Sequence, residues 1–188
     1  GVDNDCDGSD AACNEDDCTD GLDDDSDGDI DCDDVDCIDE PECSEDPAPS
    51  WLSVSGSYYH SCAVDYTGSV QCWGTDDHGR ASPPSGIFQS VSVGINHSCG
   101  IDSSGGVQCW GDNTWGQSSP PGGSFSSVST GDNHTCGVDS GGNAECWGFN
   151  LYGQASPPAG TFESVSSGWY HSCGIDSAGN LICWGDEW

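Results

Sequence analysis

The sequence almost lacks basic residues. Its 188 residues include no lysine and one arginine, Arg80, against 34 acidic residues, so the formal net charge at pH 7 is −33. Such a charge excludes nucleic acid and anionic membranes as electrostatic partners, because both would repel the chain. No apolar stretch approaches the roughly 18 to 20 residues that a membrane span requires. We therefore expect neither nucleic-acid binding nor membrane insertion.

Methionine is also absent, whereas cysteine is abundant, with 14 residues. A high and even number of cysteines is typical of secreted proteins that are held together by disulfides. We therefore expect a secreted protein, extracellular or on a cell surface. Because the chain begins with Gly1, we expect any secretion signal to have been removed or to lie outside this sequence.

The acidic residues are unevenly distributed and divide the sequence into two parts. Residues 1–46 contain 22 of the 34 carboxylates. Two prolines at 47–50 form a short, stiff linker. The sequence predicts an Asp/Cys-rich module at 1–46 and a different domain at 51–188.

The second part is an internal repeat with a period of 37 residues. Alternating apolar positions and Ser/Gly clusters predict short strands, and Pro-Pro pairs near the unit ends exclude helix. The fold class predicted is therefore all-β. The four units are 51–87, 88–124, 125–161 and 162–188.

The cysteine spacing within each unit predicts a disulfide across a β-hairpin. If Cys62 lies opposite Cys72, Asp65 lies opposite Ser69, and 66–68 form a three-residue loop whose glycine can take a positive φ. Opposed residues in such a pair are about 4.5 Å apart at Cα, which suits a disulfide. Zinc is the alternative, but the units lack paired CxxC knuckles. The predicted bonds join Cys62 to Cys72, Cys99 to Cys109, Cys136 to Cys146 and Cys173 to Cys183.

A histidine and a tryptophan also recur in every unit, and each has two interpretations. The histidine could line a catalytic or metal-binding ring, but its repetition favours a structural role in which a ring nitrogen satisfies a turn backbone. The tryptophan could be an exposed platform for sugars, but its constant position favours a core between units. These residues are His60, His97, His134 and His171, and Trp73, Trp110, Trp147 and Trp184.

The string HSCGIDSSGGVQCWGDNTWGQ, from His97 to Gln117, resembles the regulator of chromosome condensation repeat, especially its short, cysteine-bearing bacterial form. Four units match it, although the first has Gly79-Arg80 in place of Gly-Gln. The resemblance implies a β-propeller, usually of seven blades, whose loops bind partners and whose fold implies no chemistry. With four propeller-like blades of 37 residues, we expect an open arc or a small or incomplete propeller.

The acidic module contains two DxDxDG runs, which predict calcium binding because alternate carboxylates converge on one hard cation and the glycine permits the turn. The second run continues to Asp34 in the manner of an EF-hand loop. It resembles the helix-free loops of thrombospondin type 3 or dockerin-like modules, and the segment resembles Asp/Cys-rich repeats of deltaproteobacterial surface proteins. The predicted Ca²⁺ ligands are Asp3, Asp5, Asp7, Asp10, Asp23, Asp25, Asp27, Asp29, Asp31 and Asp34.

Six further cysteines accompany these loops and predict disulfides whose pairing stays open among 15 alternatives. A disordered acidic tail is the alternative for the whole segment. Because 22 carboxylates repel one another, we expect calcium to be required for the module to fold. The six cysteines are Cys6, Cys13, Cys18, Cys32, Cys37 and Cys43.

No nucleophile, acid/base pair or open metal site stands out from the repeat, so we expect no enzyme. The first functional hypothesis is a calcium-ordered structural protein that self-assembles into an extracellular fibre or surface layer. The alternative is a binding module whose loop aromatics, which vary between units, contact a protein or glycan. A third is metal sequestration, including copper, although oxygen-only ligands favour calcium. The candidate binding aromatics are Tyr58, Tyr59, Trp115, Tyr152, Trp169 and Tyr170.

Two formal N-glycosylation sequons begin at Asn96 and Asn133. Both overlap the repeat pattern, so coincidence is the favoured explanation, with glycosylation as the alternative.

Overall fold

The repeat forms short strands because its apolar residues alternate with serines and its glycines and prolines interrupt every run. The computed structural model describes residues 51–186. Within them, one 3-10 turn covers Asp77–Gly79. The strands are β1 (Trp51–Gly56), β2 (His60–Asp65), β3 (Val70–Gly74), β4 (Phe88–Val93), β5 (His97–Asp102), β6 (Val107–Gly111), β7 (Phe125–Thr130), β8 (His134–Asp139), β9 (Ala144–Gly148), β10 (Phe162–Ser167), β11 (His171–Asp176) and β12 (Leu181–Gly185).

Each unit folds into one three-stranded antiparallel sheet. The strand orders are β1-β2-β3, β4-β5-β6, β7-β8-β9 and β10-β11-β12. The first ladder of every sheet shifts register at its first residue pair, for example between Phe88 and Ser90. The predicted all-β fold with four blade-like units is therefore confirmed, and the arrangement is that of an open propeller-like arc.

The second hairpin of each sheet has the predicted register. Cys62 pairs with Cys72 across β2 and β3, with the two Cα atoms 4.1 Å apart and the sulfurs bonded. Gly68, in the three-residue loop, has a φ of 85°. The other three blades contain the same bond, which excludes zinc at these cysteines and confirms all four predicted disulfides, Cys62–Cys72, Cys99–Cys109, Cys136–Cys146 and Cys173–Cys183.

An aspartate organises each of these hairpin loops. Oδ1 of Asp65 accepts hydrogen bonds from the backbone N–H of Thr67 at 2.9 Å and of Ser69 at 3.0 Å, and from the Thr67 hydroxyl at 2.6 Å. A side-chain hydrogen bond is the largest cause that lowers the pKa of this carboxyl and of its three equivalents. The loop therefore stabilises the charged carboxylate. The equivalents are Asp102, Asp139 and Asp176.

Neighbouring blades pack through apolar residues that the repeat supplies at fixed positions. Between the first two blades, the buried cluster joins Phe88, Val91 and Trp110 to Cys62 and Val64. A blade of this size buries little apolar surface alone, so its stability depends on the neighbour.

Serines of the first strand satisfy backbone groups of the next blade. Oγ of Ser53 accepts from the Val91 N–H at 3.3 Å, and Oγ of Ser55 accepts from the Val93 N–H at 3.0 Å. Thr130 N–H donates in the same way to Ser92, 38 residues earlier. Unpaired backbone donors are costly when they are buried. The Ser-Val-Ser pattern thus replaces a β-ladder between blades.

Candidate functional site

Two kinds of loop meet at one end of the blades. The backbone N–H of Asp112 donates to Asn96 O at 2.9 Å, and that of Phe149 donates to Asn133 O at 2.8 Å. These bonds join the loop after the third strand of a blade to the loop between its first two strands. We call this end the loop face, and it comprises 57–59, 94–96, 131–133, 168–170, 112–117 and 149–154.

The repeated histidine joins each blade to the next. Nε2 of His97 lies 2.7 Å from Oγ1 of Thr135, and that hydroxyl donates to Gln117 O at 3.1 Å. Because a hydroxyl has one proton, Thr135 must accept from an Nε2–H, so the imidazole is protonated at Nε2. His60 contacts Ser98 in the same way, and His134 contacts Ser172.

The predicted structural role of this histidine therefore holds, but its predicted partner, a turn backbone, is wrong. Burial lowers the pKa of His97 to about 3 and that of His134 to about 4. Both are neutral at pH 7. His171 is exposed, since no further blade follows it within the described residues.

The repeated tryptophans belong to the blade interfaces in the last three blades. Trp110 is buried, and Trp147 and Trp184 are partly buried. Nε1 of Trp147 donates to Gln117 O of the preceding blade at 2.8 Å. Trp73, in contrast, is 49% exposed, because the described chain places no blade before it. The prediction of a core between units is confirmed for three tryptophans and is wrong for Trp73.

Four of the six predicted binding aromatics come together on the loop face. The ring centroids of Tyr152 and Tyr170 are 5.0 Å apart, and Trp169 stacks on Tyr170 at 5.3 Å. Phe149, which sequence reasoning missed, lies 5.0 Å from Trp115 and 6.1 Å from Tyr152. We call these five residues the aromatic surface. The only sequence signal for Phe149 was that it replaces the aspartate of the preceding unit, Asp112.

The other two predicted aromatics, Tyr58 and Tyr59, form a separate pair at 4.9 Å. The Arg80 guanidinium lies 4.9 Å from the centre of the Tyr59 ring. Arg80 also forms an ion pair with Asp77 and donates to Ile95 O at 3.1 Å. The departure from Gly-Gln in the first unit therefore places the chain's single arginine between two blades.

Buried glutamines hold the aromatic loops in place. Oε1 of Gln117 accepts from the Trp115 N–H at 2.8 Å, while its Nε2 donates to Oδ2 of Asp112 at 2.9 Å. Oε1 of Gln154 accepts a hydrogen bond from the Tyr152 N–H at 3.0 Å. Its buried Nε2 has no partner among the described residues, because Phe149 takes the place of the aspartate. Phe149 therefore enlarges the aromatic surface and removes the carboxylate that the equivalent glutamine, Gln117, contacts.

A cavity of about 300 Å³ opens on the loop face. Loops from all four blades line it, including Ser57, Gly94, Asp132 and Trp169. Burial raises the pKa of the Asp132 carboxyl, and a hydrogen bond with the Trp169 side chain partly offsets this effect. Sequence reasoning missed Asp132, whose only signal is that the other units have Tyr58, Ile95 and Trp169 at this position.

The predicted calcium module lies outside the described residues. Its ten aspartates, from Asp3 to Asp34, and its six cysteines, from Cys6 to Cys43, stay predictions. Within residues 51–186, no group of three or more His, Cys, Asp or Glu side chains is placed to hold a metal ion. In this same part of the chain, no helix is long and apolar enough to cross a membrane.

Solved structures similar to this chain include two plant receptor ectodomains. The CR4 receptor kinase ectodomain from Physcomitrella patens is 31% identical, with a TM-score of 0.61, over 70% of this chain and 39% of that chain. The CRINKLY WD40 ectodomain of ACR4 from Arabidopsis thaliana is 30% identical, with a TM-score of 0.61, over 70% of this chain and 48% of that chain. This chain thus spans less than half the length of either ectodomain.

A third similar structure, Prp20p from Saccharomyces cerevisiae, is 18% identical, with a TM-score of 0.57, over 68% of this chain and 41% of that chain. At this identity the likeness concerns the fold alone. No curated protein gives a significant match to the sequence. The family model described as "Regulator of chromosome condensation (RCC1) repeat" matches residues 51–80, 88–117, 125–154 and 162–187. Together with the four three-stranded blades, this match shows that the chain belongs to the RCC1 repeat family.

Proposed function

We propose that the repeats form an extracellular binding module that recognises a protein or glycan through the aromatic surface. The observation that carries this proposal is the convergence of five aromatic side chains from three successive blades. Trp115, Tyr152 and Trp169 in this cluster are 55%, 46% and 60% exposed. Tryptophan and tyrosine are enriched among the residues that dominate binding energy, and contiguous exposed apolar surface is typical of interaction sites.

The pattern of variation supports the same function. Positions that hold the blades together repeat in every unit, such as the cysteines and the histidine. The loop positions differ, so that Trp115 and Tyr152 correspond to His78 in the first unit, and Tyr170 corresponds to Asn96 in the second. A constant framework with variable loops is typical of recognition modules.

Four disulfides and two similar plant ectodomains support an extracellular location. A non-catalytic role is supported by the use of the repeated histidines and hydroxyls in bonds between blades. Protein ligands are the first class to test, since yeast Prp20p is described with Gsp1p and histones as its binding partners.

The test uses the full chain against a glycan array and a panel of extracellular proteins, followed by biolayer interferometry with each ligand found. We expect Trp115→Ser and Tyr152→Ser each to weaken binding at least tenfold. The matched control is Tyr66→Ser, because Tyr66 is 45% exposed but lies in a β2–β3 hairpin, away from the loop face. Equal affinity of all variants would contradict the proposal.

Self-assembly is the second candidate, and the exposed end blades favour it. Trp51, Val54 and Trp73 are 43%, 75% and 49% exposed. Their equivalents one unit later are the buried Phe88, Val91 and Trp110. At the other end, Ile175 and Leu181 are 42% and 71% exposed, whereas their equivalents in the first unit, Val64 and Val70, are fully and partly buried.

A head-to-tail contact between two copies would join these faces and place His171 beside Ser61 of the next copy. Contacts of this heterologous type build filaments when they do not close into a ring. In sedimentation velocity, we expect concentration-dependent polymers that Leu181→Glu abolishes. Leu151→Glu is the control, since Leu151 is 74% exposed in a loop. A monomer at all concentrations would exclude this candidate.

We also propose that calcium orders residues 1–46, from the DxDxDG sequences alone. Isothermal titration of the full chain with Ca²⁺ should show at least one site, and the double variant Asp23→Ala/Asp25→Ala should lose it. If fibres form, electron microscopy with and without EDTA shows whether calcium bridges the copies. Saturable copper binding without calcium binding would favour sequestration instead.

A further inference from the structure

We propose that the cavity on the loop face binds a cationic side chain of the ligand, a lysine or an arginine, with Asp132 as the counter-ion and Trp169 as one wall. This inference deepens the proposed function and rests on it, because it assigns the ligand of that same face. It favours a protein over a glycan, and a protein whose contacting segment combines a basic residue with apolar neighbours.

The cavity has the size for one side chain. Its volume of about 300 Å³ is at the lower end of the range for small-ligand sites. Gly94, Gly131 and Gly168 contribute to its walls, and a Cβ at Gly94 or Gly131 would collide with the backbone of the next blade. The residue after each of these loop positions differs between the blades, being Tyr58, Ile95, Asp132 or Trp169. The third blade alone supplies a carboxylate at this position, Asp132.

Asp132 is a partly buried acid that the chain cannot neutralise with a basic side chain of its own. Asn133 donates to its Oδ2 at 2.6 Å, which satisfies part of its hydrogen-bonding capacity but not its charge. The sequence has a single lysine or arginine, Arg80, and this residue pairs with Asp77. A desolvated charge without a partner is unfavourable, so a cation from another molecule would stabilise the site.

Two of the buried histidines, His97 and His134, do not supply that charge. The pKa of His97 is about 3 and that of His134 is about 4, because both rings are buried. Both are uncharged at neutral pH. The net charge of −33 further attracts cations to the whole molecule.

Trp169 joins the cavity to the aromatic surface. Trp169 lines the cavity and is 60% exposed. Its side chain hydrogen-bonds the Asp132 carboxyl and stacks on Tyr170 with an interplanar angle of 20°. A cation beside an indole face is attracted by the ring electrons. A ligand that inserts a basic side chain into the cavity would therefore place its neighbouring residues over Tyr170 and Tyr152.

A divalent metal ion fits this site poorly. Asp132 is one carboxylate, and within residues 51–186 no cluster of three metal-ligating side chains exists. Calcium takes six to eight oxygen ligands. A monovalent organic cation needs one counter-ion and an aromatic wall, which the cavity supplies.

The test is a titration of the ¹⁵N-labelled full chain with n-butylammonium chloride, which represents the lysine side chain, and with ethylguanidinium, which represents arginine. We expect saturable shifts of the Gly94, Gly131 and Gly168 amides and of the Trp169 indole N–H for at least one of the two. Butanol, the neutral analogue, should cause no saturable shift. Butanol binding equal to that of butylammonium would overturn the proposal.

Substitutions test the counter-ion. Asp132→Asn and Asp132→Ala should each lower the affinity for the cation at least tenfold, while Glu163→Gln, which removes an exposed charge on β10, should leave it unchanged. Thermal unfolding of each variant shows whether it is folded. Shifts of equal size in wild type and Asp132→Asn would mean unspecific attraction to an acidic surface and would refute the site.

The outcomes separate this inference from the proposed function. Trp115→Ser should weaken binding of the macromolecular ligand at least tenfold but leave the butylammonium titration unchanged. If the ligand depends on Trp115 and is insensitive to Asp132→Asn, the cation site is wrong and the binding module stands. If butylammonium binds in the cavity but no ligand depends on Trp115, the aromatic surface is wrong and the cavity stands.

Discussion

At the scale of single residues, a neutral histidine connects one blade to the next. Its Nε2–H donates to a hydroxyl, which donates to a carbonyl of the histidine's own blade, as in His97, Thr135 and Gln117. Nδ1 is buried without a hydrogen-bond partner in the described blades. Protonation at Nδ1 would place a charge in this site with no acceptor for it, which is unfavourable.

The first prediction concerns pH. His97 and His134 have pKa values of about 3 and about 4 in the folded protein, below the usual 6.5. At pH values between the folded-state pKa and 6.5, each of these histidines binds a proton in the unfolded chain but not in the folded one. The free energy of unfolding therefore falls as the pH decreases below 6.5. Each histidine contributes up to about 1.4 kcal/mol per pH unit. Urea unfolding from pH 7.5 to 4.5 measures this loss, and a constant midpoint would contradict it.

A matched pair of variants provides the second prediction. His134→Ala removes a buried ring and its bond to Ser172, and we expect a loss of about 2 to 4 kcal/mol. His171→Ala changes the equivalent but exposed residue, and we expect a loss below about 0.5 kcal/mol. Urea unfolding at pH 7.5 compares the two. Equal losses would mean that the bond between blades contributes little.

At the scale of the element, the hairpin was predictable from sequence because its geometry is local. The ten-residue separation of Cys62 and Cys72 and the glycine at 68 determine both the register and the disulfide. The partner of the histidine was not predictable, because His60 bonds Ser98 across 38 residues. That pairing depends on how two blades pack.

The third prediction tests the disulfide as an element of stability. The double variant Cys99→Ala/Cys109→Ala removes one cross-link, and we expect a loss of up to about 3 kcal/mol from the closed loop of about 11 residues. Chemical unfolding measures the loss. Thiol titration is the control, since the variant should gain no free thiol in residues 51–186. An unchanged unfolding midpoint would show that packing alone holds the hairpin.

At the scale of the whole molecule, the blades form a regular series and the ligand surface arises from departures within it. The sequence identified Trp115, Tyr152, Trp169 and Tyr170 as variable aromatics, but not their contact through Phe149. The cavity was also missed, because it forms where loops of four blades converge. No local pattern encodes such a space.

The fourth prediction removes a whole unit. Deletion of 88–124 joins Ile87 to Phe125 and keeps the repeat in phase, so that His60 faces Thr135. We expect a folded protein of lower stability, with three disulfides in its repeats. Mass spectrometry after alkylation counts these bonds, and circular dichroism shows the strands. An unfolded product would mean that the second blade contains interactions that its neighbours cannot replace.

The serine bonds that join the first strands have the same 38-residue offset at successive junctions, as between Ser53 and Val91 and between Ser92 and Thr130. Unequal crossing-over within the gene could therefore insert or lose copies without creating a mismatched junction. A new copy could then diverge in its loop residues while its junctions stay unchanged. On this account, duplication sets the number of blades, and the few divergent loop codons set the ligand preference.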